Sequence, residues 1–481
     1  MNISINNILR TFCEYYVTKI GSMARGVDMM NDQGRASSTA GMAFGDLPTS
    51  GFIRRLTFLS AMGLFLDGYD LTIISVALLF IKSDFHPAPY LVGLVGSAAV
   101  GGMLIGSLVF GNLTDRFGRR TMYLLDLLFF VIFTLLAALS QNMTELIVFR
   151  FLLGIGLGAD YPISSTLTAE FAPTRRRGML LVMTIAFWQV GAVVSYLVSL
   201  ALLHTGPDAW RWMLASGAIP AILVMWGRRS IPESPRWLMA KGRKDQAIQI
   251  AKNVAQSSGV ELSTTDNAGL AGAIAPLRLA SFGRLFQKDL IRITIFAALG
   301  WFFFDVGNYA TVVFTPTILK LLKGATLASS VEASLALASF ALVGLIVVFL
   351  IVDYVGRKWL QAIGFLGLGL VFIMMGILSH PAFGLFLGLF FVLTLADQGP
   401  GSLTYVYAGE VFPTSVRATG HGFATAVSRV GALLGIFVLP VLVASVGLSA
   451  GLILFGICDL LGFGLTVWLA PEPKGKALLN G

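Results

Sequence analysis

The stretch GNLTDRFGRR (residues 111–120) closes one apolar run, and a shortened form of it, VDYVGRK (residues 352–358), closes another far along the chain. Asp115 and Asp353 are separated by 353 minus 115, or 238 positions, and Gly118, Arg119 and Arg120 return as Gly356, Arg357 and Lys358. AEFAPTRRR (residues 169–177) returns as GEVFPTSVR (residues 409–417), setting Glu170 against Glu410 and Arg177 against Arg417 at an offset of 240. PESP (residues 232–235) returns as PEP (residues 471–473) at 239, and Asp67 is matched by Asp305 at 238. Four coincidences so close to one offset, in a chain this poor in charge, mark two halves of like construction.

Each half holds six apolar stretches. They run over 56–81, 91–113, 121–139, 145–171, 179–203 and 210–227, then 292–320, 329–352, 359–379, 382–411, 420–445 and 448–470. About 20 apolar residues suffice to cross a bilayer as a helix. The chain is 56% hydrophobic and 12% charged, whereas a soluble domain is roughly 45–50% apolar and about 25% charged. The runs are continuous rather than alternating, which selects helices over a barrel. The expected fold is an all-α membrane protein of twelve transmembrane helices in two six-helix bundles, over residues 55–227 and 291–470. A disordered cytoplasmic tail (1–54), a cytoplasmic linker (228–290) and a short cytoplasmic end (471–481) complete it. In the linker, GRKDQAIQIAKNV predicts a short surface helix and SSGVELSTTDNAG a flexible segment.

Several classes of function are excluded early. Cys13 and Cys458 sit at opposite ends of the chain, and the four histidines form no HExxH or HxxxH pair. No metal, soluble cofactor or enzymatic activity is expected, since no phosphate loop or nucleophile–base constellation occurs. The glycine run GIGLGADYP (residues 154–162) has no strand before it and predicts close helix packing instead. The formal net charge of +9 does not indicate nucleic acid. If the amino terminus is cytoplasmic, 28 of the 34 basic residues fall in inside segments, which orients both termini to the cytoplasm. The expected setting is the plasma or inner membrane, and a monomer is expected because one chain holds both halves.

Ionisable groups inside spans are costly and mark function or structural pairing. At 1.5 Å per residue, Asp67, Asp70, Asp160, Asp305 and Arg429 lie about 14 to 21 Å from the inner span ends, near the midplane. Asp67 and Asp70 are three apart and so lie near one face of a helix, where both can approach the same cavity. Carboxyl groups whose hydration changes between two states of a transporter can take up and release protons, so Asp67, Asp70 and Asp160 are the candidates for proton coupling. Asp126, Asp397 and Asp459 are weaker candidates, with pairing as the alternative. Arg429 either neutralises an aspartate or receives an anion. Arg150 is expected to snorkel or pair near the outer side. Trp301, Asp305 and Tyr309 recur every fourth position along one stripe.

GNLTDRFGRR matches every fixed position of G-x-L-x-D-R-x-G-R-[KR], and the chain thereby resembles the major facilitator superfamily over residues 55–475. PESPRWL (residues 232–238) is similar to a signature of its sugar-porter and organic-ion branches. The resemblance implies alternating access, with Gly111, Asp115, Arg119, Glu170, Arg177, Asp353, Arg357, Glu410 and Arg417 as gates and latches. DGYD, GADYPISS, Gln189, W-x3-D-x3-Y and GHGFATAVSRVG are also similar to the phosphate:proton symporters. That likeness implies Asp67 or Asp70 and Asp160 in the proton route, and Tyr161, Gln189, Trp301, Asp305 and Tyr309 around phosphate. The phosphate symporters carry lysine where Arg429 stands and asparagine where this chain has Gly401.

The expected function is proton-coupled import of a small anion, first of all inorganic phosphate. A nicotinate-like or aromatic acid and a sugar-like metabolite are the rivals, and a non-transporting nutrient sensor is the alternative of another class.

Overall fold

The computed structural model describes residues 51–171, 177–257, 282–322, 324–378, 383–413 and 416–471. Among them no strand occurs. The first half comprises α1 (Gly51–Phe85), α2 (Pro89–Phe117), α3 (Arg119–Leu139), α4 (Met143–Phe171), α5 (Arg177–Leu202), α6 (Ala209–Ser216) and α7 (Ala218–Arg228). Two short helices follow, α8 (Pro235–Ala240) and α9 (Lys244–Ser257), and a 3-10 turn at Phe282–Phe286 leads into the second half. That half comprises α10 (Ile291–Lys320), α11 (Leu327–Val355), α12 (Arg357–Ile377), α13 (Phe383–Glu410), α14 (Arg417–Ser445) and α15 (Leu448–Leu469). Ten helical segments among the described residues are long and apolar enough to cross a membrane, with α6 and α7 together forming one of them. Helices α4 and α5, at 29 and 26 residues, have the length to cross as well at 1.5 Å per residue. The sixth apolar stretch is two helices broken at Gly217. The surface helix expected in the linker forms as α9, which buries Ala247, Ala251 and Val254 and exposes its polar face. Residues 51–54 of the expected tail are the start of α1 and Ser257 of the expected flexible segment ends α9, while residues 1–50 of the tail and 258–269 of that segment lie outside the described residues.

The repeat in sequence is a repeat in backbone. Gly118 ends α2 and starts α3 with φ +104°, and Gly356 does the same between α11 and α12 with φ +91°. Side chains rarely adopt that backbone region, so glycine stands at both turns. In the first half α1 packs on α5 and α2 on α4, while in the second α10 packs on α14 and α11 on α13. A Cβ at Gly191 of α5 would sit 2.1 Å from the Phe65 carbonyl oxygen, and one at Gly431 of α14 would sit 2.4 Å from that of Phe302. These glycines are 431 minus 191, or 240, apart. Small residues let paired backbones touch where bulk would hold them apart. The run GIGLG serves α2 and α4 in the same way, with a Cβ at Gly154 reaching 2.0 Å from the Ala99 carbonyl oxygen.

The halves meet where α14 packs on α2, α11 on α5 and α10 on α1. A Cβ at Gly93 would lie 2.6 Å from the Phe437 carbonyl oxygen, and one at Gly96 would lie 2.9 Å from Ile436 Cγ2. Both contacts lie at the end of the bundle away from the Gly118 and Gly356 turns. Outward-facing Leu139, Leu223, Trp226 and Trp468 are each more than 60% exposed, an apolar surface that lipid rather than water would cover.

Candidate functional site

Between the halves, α1 and α5 bring Asp67 to Trp188, whose indole Nε1 donates to Asp67 Oδ2 at 3.2 Å. The approach depends on Gly68, where a Cβ would lie 2.1 Å from the Trp188 carbonyl oxygen. Across from them, α10 and α14 bring Asp305 to Arg429 at 3.6 Å. Arg429 Nη1 also donates to the Tyr309 hydroxyl, and its guanidinium lies 5.0 Å from the centre of that ring. Asp67, Asp305 and Arg429 are each at most 3% exposed. The guanidinium is already neutralised within its own half, which is the pairing alternative of the sequence reading. Trp301 is hydrogen-bonded to Asp305, and its ring packs edge-on against Tyr405 and His421, with centroids 6.0 and 5.8 Å away.

Beside this cluster lies a cavity of about 110 Å³, bounded by both halves. Gln189, Asn308, Asp397, Gln398 and Asp459 supply its strongest polar groups, and Trp188, Tyr196, Phe304, Phe372 and Phe390 its aromatic walls. Asn308 Nδ2 donates to Asp397 Oδ1 at 2.6 Å. No lysine or arginine is found among the described lining residues. Gly401 is next to this space, since a Cβ there would lie 3.2 Å from Phe304 Cζ and 3.8 Å from Asp397 Oδ2. Phe304 thus borders the space that a side chain at Gly401 would enter.

Deeper in the first half are two buried ion-pair systems. Arg150 of α4, fully buried, pairs with Asp70 at 3.1 Å and donates from Nε to the Val95 carbonyl. Asp70 thus pairs with Arg150 of α4, while Asp67 accepts from Trp188 of α5. Their side chains are three residues and so about 60° apart around α1, enough to send one toward α4 and the other toward α5. Asp160 of α4 meets Arg228 at 2.7 Å, and the same guanidinium reaches Asp126 of α3 at 3.2 Å. It also stacks 3.6 Å from the centre of the Tyr123 ring. Arg228 stands at the edge of the polar linker in sequence and reads there as an orientation charge. It is fully buried, and only its place beside two intramembrane carboxylates shows why.

The repeated loops form ties. Backbone amides of Arg119 and Arg120 donate to Glu233 Oε1 at 2.9 and 3.3 Å, so a carboxylate sits on the amino terminus of α3, where the helix dipole favours it. Glu233 lies within PESPRWL, where nothing in the sequence sets it apart from its neighbours. The signal for it is positive-φ Gly118, whose absent Cβ would lie 2.5 Å from Glu233 Oε2. In the second half Arg357 pairs with Glu410 at 3.5 Å, and Arg417 Nε donates to the Phe412 carbonyl at 3.2 Å. The side chains of Gly111, Asp115, Tyr161, Glu170, Arg177 and Asp353 lie outside the described residues.

Two like bundles enclosing a polar cavity within an apolar shell define a multi-pass membrane transporter rather than an enzyme. The chain belongs to the sugar (and other) transporter family of the major facilitator superfamily, whose family model matches residues 56–480. It is 30% identical over 435 residues to the putative metabolite transport protein YaaU of Escherichia coli, covering 90% of this chain and 96% of that one. It is also 30% identical over 491 residues to inorganic phosphate transporter 1-6 of Oryza sativa, covering 87% and 90%. The fold matches the partially occluded, inward-open xylose transporter XylE of E. coli with a TM-score of 0.75 at 23% identity, covering 89% of this chain and all of that one.

Proposed function

We propose that the chain is a proton-coupled importer of a small polar metabolite, working by alternating access as a monomer with both termini in the cytoplasm. The observation that carries this reading is the buried cluster at the contact of the halves, where Asp67 stands on α1 and the Asp305–Arg429 pair on α10 and α14. Asp67 stands on a facing helix and accepts from the neutral Trp188 indole, so a proton taken up by it balances the charge that the Asp305–Arg429 pair leaves unmatched. When the halves move apart, that balance changes, and proton exchange is tied to the motion. Asp70 and Asp160 extend the proton route within the first half, each held by a buried arginine. The ties at Arg119, Arg357, Glu410 and Arg417, with Gly111, Asp115, Glu170, Arg177 and Asp353 in the same loops, act as gates.

Inorganic phosphate, the first expectation from sequence, is the weaker candidate for the cavity. Arg429 is engaged by Asp305 and Tyr309, Gly401 supplies no amide, and Asp397 and Asp459 would repel a dianion. Gln189 remains in the substrate site as a lining residue, and Tyr161, next to Asp160 in sequence, is assigned there with it. Trp301, Asp305, Tyr309 and Arg429 act on the site's charge and shape from behind.

The test is accumulation of labelled solutes by purified protein in liposomes under an inward proton gradient. Gradient-driven uptake of a polar solute, abolished by a protonophore, supports the reading. Accumulation of phosphate alone would restore the first expectation, and accumulation of nothing in a broad panel would remove proton-coupled import.

A further inference from the structure

The cavity between the halves holds a carboxyl group that the proton route does not use. Asp459 of α15 is 1% exposed, lines the cavity, and has no hydrogen-bond partner for either oxygen among the described residues. Buried carboxyl groups are ordinarily paired or multiply hydrogen-bonded, because leaving one alone in a low-dielectric interior is costly. In the same chain Asp70, Asp126, Asp160 and Asp305 each have an arginine within 4 Å. Asp459 is different in kind from these. It shares its cavity with Asp397, whose one oxygen accepts from Asn308 and whose other accepts from the neighbouring Gln398 at 3.2 Å.

Two acids on one cavity, with no lysine or arginine among its described lining residues, place negative charge in a confined space once a cation is there to hold them ionised. Trp188, Phe304, Phe372 and Phe390 line the same cavity. Aromatic faces attract cations, most strongly when water is excluded. They have far less to offer a hydrated inorganic ion, which needs several oxygen ligands; among the described residues no cluster of three or more metal-ligating side chains occurs.

We propose that this cavity binds a small organic cation, an ammonium group held by Asp459 and Asp397 against the aromatic walls. The inference rests on the reading of the cavity as the substrate site and narrows its substrate to a positively charged amine. It also gives Asp459 a partner of opposite charge, supplied by the substrate rather than by the fold.

The experiment is a binding titration by calorimetry on purified protein in nanodiscs at constant ionic strength. The probes are methylammonium, tetramethylammonium, choline and its neutral isostere 3,3-dimethylbutan-1-ol, with inorganic phosphate, D-xylose and sodium as the competing chemistries. At least one organic cation is expected to bind no less than tenfold more tightly than the neutral isostere. Asp459→Asn, equal in size, is expected to remove that preference, and Asp397→Asn to reduce it, while both variants keep the wild-type elution profile. Cation binding that Asp459→Asn leaves unchanged would overturn the proposal. So would a series in which only sodium, xylose or phosphate binds. Liposome uptake separates this failure from that of the broader reading: a protein that accumulates xylose or phosphate but binds no ammonium is still a transporter. One that binds choline through Asp459 but moves no solute keeps the site and loses the transport assignment.

Discussion

Asp160 and Arg228 meet at 2.7 Å in the first bundle although they stand 68 positions apart, one in the middle of an apolar helix and the other at the border of a polar linker. Arg228 also holds Asp126, so removing the guanidinium leaves two carboxylates buried together. Breaking a buried pair from one side costs about 3–5 kcal/mol. Arg228→Met is therefore expected to lower the thermal unfolding midpoint by several degrees in detergent, more than Arg229→Met on the adjacent exposed residue. Equal midpoints would show that the triad does not support the bundle. Gly63→Ala tests the same place from α1, since its Cβ would fall 1.7 Å from Asp160 Oδ2.

Asp70 faces Arg150 in full burial. If this pair opens when a proton arrives, Asp70→Asn mimics the protonated state permanently. Gradient-driven accumulation should fall to about the equilibrium ratio of one, while counterflow of labelled against unlabelled solute persists. Accumulation at the wild-type level would take Asp70 out of the proton route, and loss of counterflow as well would make it a structural residue.

Arg429 tests the charge logic between the halves. With Asp305 and Tyr309 already on it, Arg429→Gln should impair uptake of neutral and charged solutes alike, because it leaves Asp305 buried without its counter-charge. The double variant D305N/R429Q should be more stable than R429Q alone, as a double-mutant cycle on thermal midpoints would register. A loss confined to anionic solutes would return Arg429 to direct anion binding.

How much of this was legible in the sequence depended on whether a signal is local. The spans and the two halves follow from apolar runs and a repeated offset, which the order of residues along the chain determines without reference to packing. The stripe of Trp301, Asp305 and Tyr309 shows its limit. Asp305 bonds Trp301 and shares Arg429 with Tyr309, while Tyr405 of α13 and His421 of α14 pack on the Trp301 ring. Helical spacing fixes which side a residue faces relative to its own helix, not which helix waits there. Arg228 was hidden for the same reason, since its partners belong to α3 and α4. Asp459 read as one of three weaker acids, and only the cavity around it separates it from Asp126, which is paired.

Glu233 on the amino terminus of α3 ties the short helix α8 to the first bundle. Glu233→Gln retains the size and one acceptor but loses the charge. It is expected to change the maximal transport rate several-fold without altering the order of preference among solutes. A reordered solute profile in competition assays would contradict a gating role.

Proton coupling itself is tested most directly by watching the proton. Purified protein is reconstituted in lightly buffered liposomes carrying an internal pH-sensitive dye, with no gradient imposed, and choline, xylose, nicotinate or phosphate is added outside. The account predicts that the transported solute acidifies the interior at a rate that rises with its concentration, and that Asp70→Asn suppresses the signal while leaving counterflow of the same solute. Solute entry with no change in internal pH would contradict it.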